Sequence, residues 1–168
     1  MKKKELILGA FSLIELMVTI SIIIVLSGTV IAGYFRFSQR QAAMNDARSL
    51  MSQMKKIQSL AQNLVYPDGC GGLQNYKLSP VCTGVDCRSV RVVATCVSGG
   101  DANGEIVITE SEEVLGKAYF TDQTGTYTFS AGTGVISPVG SLEISYLNSP
   151  YQFGVEIYEN GNIAVVEK

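Results

Sequence analysis

Four cysteines are the residues whose type and spacing most directly indicate chemistry: Cys70, Cys82, Cys87 and Cys96. An even number of clustered cysteines is typical of disulfides formed in an oxidising compartment. A zinc site is the alternative to disulfides, but Cys82 and Cys87 are the one pair with the C-x₄-C spacing of metal ligands. We therefore predict two disulfides and no bound metal.

The disulfide pairing is constrained by the alternation of apolar residues after Cys87. If residues 89–97 form a straight strand, Cys87 and Cys96 lie about 30 Å apart at about 3.3 Å per residue. A disulfide needs Cα atoms within about 7 Å, so a Cys87–Cys96 bond is excluded. Two pairings remain. We favour Cys82–Cys87 with Cys70–Cys96, because the first closes a short loop and the second ties the end of a helix to a strand.

The other polar side chains give weaker signals. Asp101, Asn103, Glu105 and Glu112 faintly resemble a calcium loop, but Gly104 is at the fourth place instead of the sixth, and a solvated turn is favoured. The chain contains no histidine, which removes the commonest general base and metal ligand. No nucleophile motif or phosphate-binding loop is present. The sequence thus predicts a protein that is not an enzyme and has no cofactor.

Glu15 interrupts an apolar run of 25 residues from Phe11 to Phe35. Such a run is long enough for a membrane-spanning helix, which needs roughly 20 residues. A carboxylate at membrane depth costs about 2.5–3.5 kcal/mol, so a partner is expected for it. No Lys or Arg occurs between Glu5 and Arg36. We therefore predict that residues 11–35 form a transmembrane helix, and that a second chain or a free amino group supplies the partner of Glu15.

The start of the chain carries a family resemblance. Three lysines, then Gly9-Ala10 and Phe11-Ser12-Leu13-Ile14-Glu15-Leu16, resemble the processing signal of type IV pilins and type II secretion pseudopilins. Ala10 stands where that family usually has glycine. The resemblance implies a leader peptide over residues 1–10, cleavage by a prepilin peptidase between Ala10 and Phe11, and methylation of the new N-terminus. Gly9, Ala10 and Phe11 are then the processing residues.

The same resemblance implies a function and partners. Glu15 is expected to neutralise the N-terminal amine of a neighbouring subunit in a homo- or hetero-oligomeric filament with other pilins. The precursor is expected in the inner (cytoplasmic) membrane as a single-pass protein with its head outside, and the assembled filament in the periplasm or outside the cell. The alternatives are a ligand-binding minor pilin at the filament tip, for DNA or a surface, and a membrane-anchored β domain that does not assemble.

The rest of the chain predicts an α+β fold. Apolar residues at three- and four-residue steps over 36–65 predict an amphipathic continuation of the helix. Residues 66–88 are rich in Pro, Gly, Asp and Asn and read as a loop with a short strand at 73–78. Alternating segments from residue 89 on, ending in a hairpin at Asn160-Gly161, predict strands. We therefore expect a long N-terminal helix, membrane-spanning in its first half, packed on an antiparallel β-sheet or sandwich head at 66–168. Its strand number and terminal hairpin resemble those of H-type minor pseudopilins.

Charge is distributed unevenly along the chain. Five basic side chains accompany a single acid, Asp46, between residues 36 and 56, whereas twelve acids face five bases from residue 68 onward. Nucleic-acid affinity depends on Lys and Arg contacts to phosphates. The acidic head therefore predicts that nucleic acid is not a partner.

Overall fold

The computed structural model describes residues 12–83, 86–121, 125–146 and 151–168, and the side chains of these residues except at 28–30, 32, 83, 86 and 146. Gly9, Ala10 and Phe11, the predicted processing residues, and the predicted leader 1–10 lie outside the described residues. The chain divides into two compact units, Met1–Ser38 and Gln39–Lys168.

One helix, α1, runs from Leu13 to Gln62. Ser12 caps its start, because the Ser12 Oγ accepts the Glu15 N–H at 3.3 Å and thereby satisfies one of the unpaired donors of the first turn. Two residues after the end of α1, Leu64 adopts a left-handed conformation, with φ 52°. The Val65 N–H then bonds the Leu60 carbonyl at 3.0 Å, which is the hydrogen bond of a Schellman cap.

Within the unit Gln39–Lys168, α1 buries one narrow stripe. Its fully buried side chains recur at alternating steps of four and three residues, so they lie along one face of the helix. Alanine at three of the positions lets strands approach the helix axis closely. The buried residues are Ala43, Ala47, Leu50, Met54, Ile57 and Ala61.

Nine strands follow the helix and form two antiparallel sheets. The five-stranded sheet has the order β3-β2-β1-β5-β6, and the four-stranded sheet the order β4-β7-β8-β9. The strands are β1 (Leu73–Thr83), β2 (Asp86–Cys96), β3 (Glu105–Glu113), β4 (Ala118–Phe120), β5 (Tyr127–Ser130), β6 (Ile136–Ser137), β7 (Gly140–Tyr146), β8 (Gln152–Ile157) and β9 (Ile163–Glu167).

A single hydrophobic core joins the helical stripe to the inner faces of both sheets. Its largest fully buried side chains include Phe129 from the five-stranded sheet and Phe120 and Phe153 from the four-stranded one. Alternation is seen in β7, where Leu142 and Ile144 are buried in the core and Ser141 and Glu143, next to them in the strand, are only half-buried. Burial of these side chains stabilises the fold by about 1.5–3 kcal/mol each.

Polar side chains of α1 fasten its flanks to the strands. The Gln58 Nε2 donates to the carbonyls of Gly134, at 3.2 Å, and Gly161, at 2.8 Å. Gly134 follows β5 and Gly161 follows β8, so one amide joins turns of the two sheets. Asp46 Oδ2 accepts the N–H groups of Lys117 and Ala118 at 3.0 and 2.9 Å and so fixes the start of β4.

The strand predictions from residue 105 onward largely match the observed strands, and the hairpin at Asn160-Gly161 joins β8 to β9. The short strand predicted at 73–78 is confirmed as the first part of β1, but β1 continues to Thr83 and β2 begins at Asp86, so the loop predicted for the rest of 73–88 is wrong. Pro80 is tolerated in β1 because β5 pairs with β1 only at residues 75–78, leaving one side of Pro80 without a strand. The short strand β6 lies in the Gly- and Thr-rich stretch that predicted turns.

The predicted fold class needs correction. The long helix and the antiparallel strands are present, but over the residues the structure describes no helix is both long enough and apolar enough to cross a membrane. The predicted membrane-spanning first half, 11–35, is thus not supported. The single-pass inner-membrane localisation that depended on it is withdrawn.

Candidate functional site

The most unusual feature of the unit Met1–Ser38 is a helix that exposes apolar side chains in every direction. We call the exposed large apolar residues of α1 between 13 and 37 the apolar helical surface. Each has between 48% and 77% of its area exposed. They are Leu13, Ile14, Leu16, Met17, Val18, Ile20, Ile22, Ile23, Ile24, Val25, Leu26, Ile31, Tyr34, Phe35 and Phe37.

A surface of this kind indicates an interaction. Monomeric soluble proteins rarely expose continuous apolar patches larger than a few hundred Å². A helix that is apolar all round is normally buried on all sides. The surface includes a shallow, almost wholly apolar groove lined by Ser21, Ile22, Val25 and Leu26. What the described part of this surface offers chemically is therefore apolar contact area.

Glu15 lies in the first turn of α1 and is exposed. A carboxylate in this position is favoured by the partial positive charge of the helix N-terminus. Ser12 and Glu15 also have the S-x-x-E spacing of a capping box. Ser12, three residues earlier in the sequence, signals this local role, which the predicted assembly role of Glu15 did not include.

The cysteines form the nested pair of disulfides. Cys70 bonds Cys96, with Cα atoms 5.4 Å apart, and Cys82 bonds Cys87, with Cα atoms 4.1 Å apart. The first disulfide ties the segment after α1 to the end of β2. The second closes the β1–β2 connection. With all four cysteines oxidised, none is available as a nucleophile or metal ligand.

The region that faintly resembled a calcium loop is a hydrogen-bonded turn. The Asp101 Oδ1 accepts the N–H groups of Asn103 and Glu105, each at 2.9 Å. These bonds favour the ionised form and hold the pKa of the Asp101 carboxyl below its usual value. Glu105 is engaged with Lys77 at 2.6 Å, and Glu112 accepts from Gln53 at 3.1 Å. Among the described residues, no three His, Cys, Asp or Glu side chains are grouped to hold a metal.

Comparison with known proteins gives one partial likeness. No family model matches the chain, and no solved structure matches it. Protein ApaG from two strains of Vibrio vulnificus, YJ016 and CMCP6, is 38% identical to it over 60 residues. The match covers 34% of this chain and 48% of each relative. The chain thus spans about half the length of the curated relatives it matches.

These comparisons correct the family prediction. The matched relatives are ApaG proteins and not pilins or pseudopilins, and no family model supports the resemblance drawn from residues 1–16. The motif is short, so its agreement rests on few residues. The predicted function as a pilus or type II secretion subunit, and its pilin alternative at a filament tip, are therefore withdrawn. The alternative of a membrane-anchored β domain that does not assemble is also withdrawn, because it requires the membrane span.

Proposed function

We propose that this protein is a non-catalytic interaction subunit that associates with further copies of itself through the apolar helical surface. The observation that carries the proposal is the exposure of fifteen large apolar side chains around one stretch of helix. Because they point in all directions, a single flat partner would leave most of them in water. Helices from several copies can surround one another and cover every side.

The magnitudes favour association. Full burial of one Val, Leu, Ile, Phe or Met side chain contributes about 1.5–3 kcal/mol, and these side chains are about half exposed or more. Fifteen of them supply more than the roughly 4–15 kcal/mol that association costs in lost translational and rotational freedom. Packed helices lie about 8–10 Å apart, which brings their side chains within reach of a short cross-linker.

The absence of catalysis is part of the same proposal. It is supported by the lack of histidine in the chain and by the oxidation of all four cysteines. The acidic β region, with twelve acids against five bases from residue 68 onward, supports a partner other than nucleic acid.

Site-directed cross-linking tests the association. Ile24→Cys introduces one reactive thiol into the apolar helical surface, because the native cysteines are all in disulfides. Ser52→Cys places the matched thiol on an exposed position of the same helix within the unit Gln39–Lys168. A short bismaleimide is expected to yield covalent dimers from Ile24→Cys and mainly monomers from Ser52→Cys. Equal yields from the two variants, or monomers from both, would contradict the proposal.

A further inference from the structure

Strand β9 forms an open edge of the four-stranded sheet, next to a cavity under α1. The sheet order leaves β9 with one neighbour, β8, so its outer backbone groups have no strand partner among the described residues. The cavity is lined by Met44 and Arg48 from α1 and by Phe153, Val165 and Glu167 from β8 and β9. It combines an apolar floor with a charged rim.

The rim of this cavity has an excess of positive charge. The Arg40 guanidinium binds both carboxylate oxygens of Glu167, with Nε–Oε1 at 3.0 Å, and the acidic charge is therefore compensated. This bond and the charge of Glu167 raise the pKa of Arg40. Arg48 is exposed and has no hydrogen bond or ion pair within the described part of the chain. The β9 edge thus offers one unpaired guanidinium beside open backbone groups.

Strand β3, unlike the β9 edge with its arginine, carries acidic side chains. It forms an edge of the five-stranded sheet and has the sequence EIVITESEE. Glu110 and Glu113 are exposed and have no described partner, while Val107 and Ile108 expose 42% and 43% of their area. An exposed edge with apolar side chains is a template for strand pairing. Its glutamates oppose pairing with a second acidic edge, because like charges across strands are destabilising.

We propose that the β3 edge of one copy docks against the β9 edge of a second copy, with a β3 glutamate bound to Arg48. Charge selects this combination, because a β3–β3 contact would bring glutamates together and a β9–β9 contact would leave both Arg48 side chains unpaired. Val107 or Ile108 of the docking strand supplies apolar contact for the floor formed by Met44 and Val165. The contact is separate from the apolar helical surface and does not depend on it.

A peptide corresponding to residues 105–113, acetylated and amidated, tests this docking on the full-length protein. In an NMR titration of the isotope-labelled chain, we expect shifts at residues 163–167 and 44–48. Arg48→Gln is expected to weaken binding about tenfold, which corresponds to about 1.4 kcal/mol. Replacing the peptide glutamates at positions 110 and 113 with glutamine should weaken it by a similar factor, and Arg48→Lys should retain part of the affinity.

The matched control is Lys55→Gln, which removes an exposed cation from the same helix away from the cavity and should leave peptide affinity unchanged. Three outcomes would overturn the docking: no shifts at millimolar peptide, shifts confined to other strands, or equal affinity for wild type and Arg48→Gln. Because the titration reports on one edge in each copy, its result is independent of whether the helices associate.

Discussion

At the scale of single residues, Leu64 is the clearest strained position. It holds a left-handed conformation, φ 52°, which costs a residue with a Cβ about 1–2 kcal/mol and costs glycine little. Its side chain is 52% exposed, so little packing is lost on truncation. Leu64→Gly is expected to raise the free energy of unfolding by about 1 kcal/mol relative to Leu64→Ala, measured by urea denaturation. A Leu64→Ala variant as stable as Leu64→Gly would contradict the presence of backbone strain at this position.

Asp101 makes the stability of the fold depend on pH. Its pKa is lowered in the folded state by hydrogen bonds from the Glu105 and Asn103 N–H groups. The stabilisation is therefore present above the unfolded pKa, near 4, and is lost as the pH falls through the lower folded pKa.

We expect Asp101→Asn to be less stable than wild type at pH 6, with the difference shrinking below pH 4. Asp68→Asn, at an exposed aspartate with no described hydrogen bond, is the control. A difference between wild type and Asp101→Asn that does not change with pH would refute this role.

At the scale of elements, the two disulfides differ in the length of chain they close. Cys70–Cys96 has a sequence separation of 26 residues and Cys82–Cys87 a separation of 5. On the chain-entropy model, they stabilise the folded state by about 3.5 and about 2 kcal/mol respectively. The double variant Cys70→Ser/Cys96→Ser should therefore lower the urea midpoint more than Cys82→Ser/Cys87→Ser does. The opposite order would show that the shorter connection matters more for the native state than chain entropy implies.

The helix and the strands differ in how well the sequence pattern predicted them. Three- and four-residue steps located the buried stripe of α1 because period 3.6 is a local property, and Asn160-Gly161 located a hairpin for the same reason. The strand predicted at 73–78 was too short, because turn-forming residues such as Pro80 lie in its continuation, which is held by pairing with β2. Such pairing depends on residues distant in sequence, which single-segment patterns do not reveal.

Among the candidate sites, the disulfides could be predicted from the sequence and the cavity at Arg48 could not. Strand geometry excluded a Cys87–Cys96 bond, so the nested disulfides could be favoured before the structure was known. The cavity at Arg48 could not be predicted, because its lining joins residues more than a hundred positions apart, Met44 and Val165 among them. The family inference failed for the opposite reason. The function of the whole chain was predicted from a short local motif, and the comparisons do not support the family that this motif indicated.

For the molecule as a whole, we expect that other copies of the chain cover the apolar helical surface. Sedimentation velocity of the full-length protein tests it most directly. We compare wild type with Ile20→Lys/Ile23→Lys, which places two charges within the surface, and with Ser49→Lys/Ser52→Lys, which adds the same charges at exposed polar positions of the same helix.

We expect a discrete oligomer for wild type and for the serine variant. We expect a species near the monomer mass of 18.1 kDa for the isoleucine variant, because each buried lysine ammonium would lose its hydration without a partner. A wild-type protein that sediments as a monomer at all concentrations, or an isoleucine variant that remains as associated as wild type, would contradict the claim.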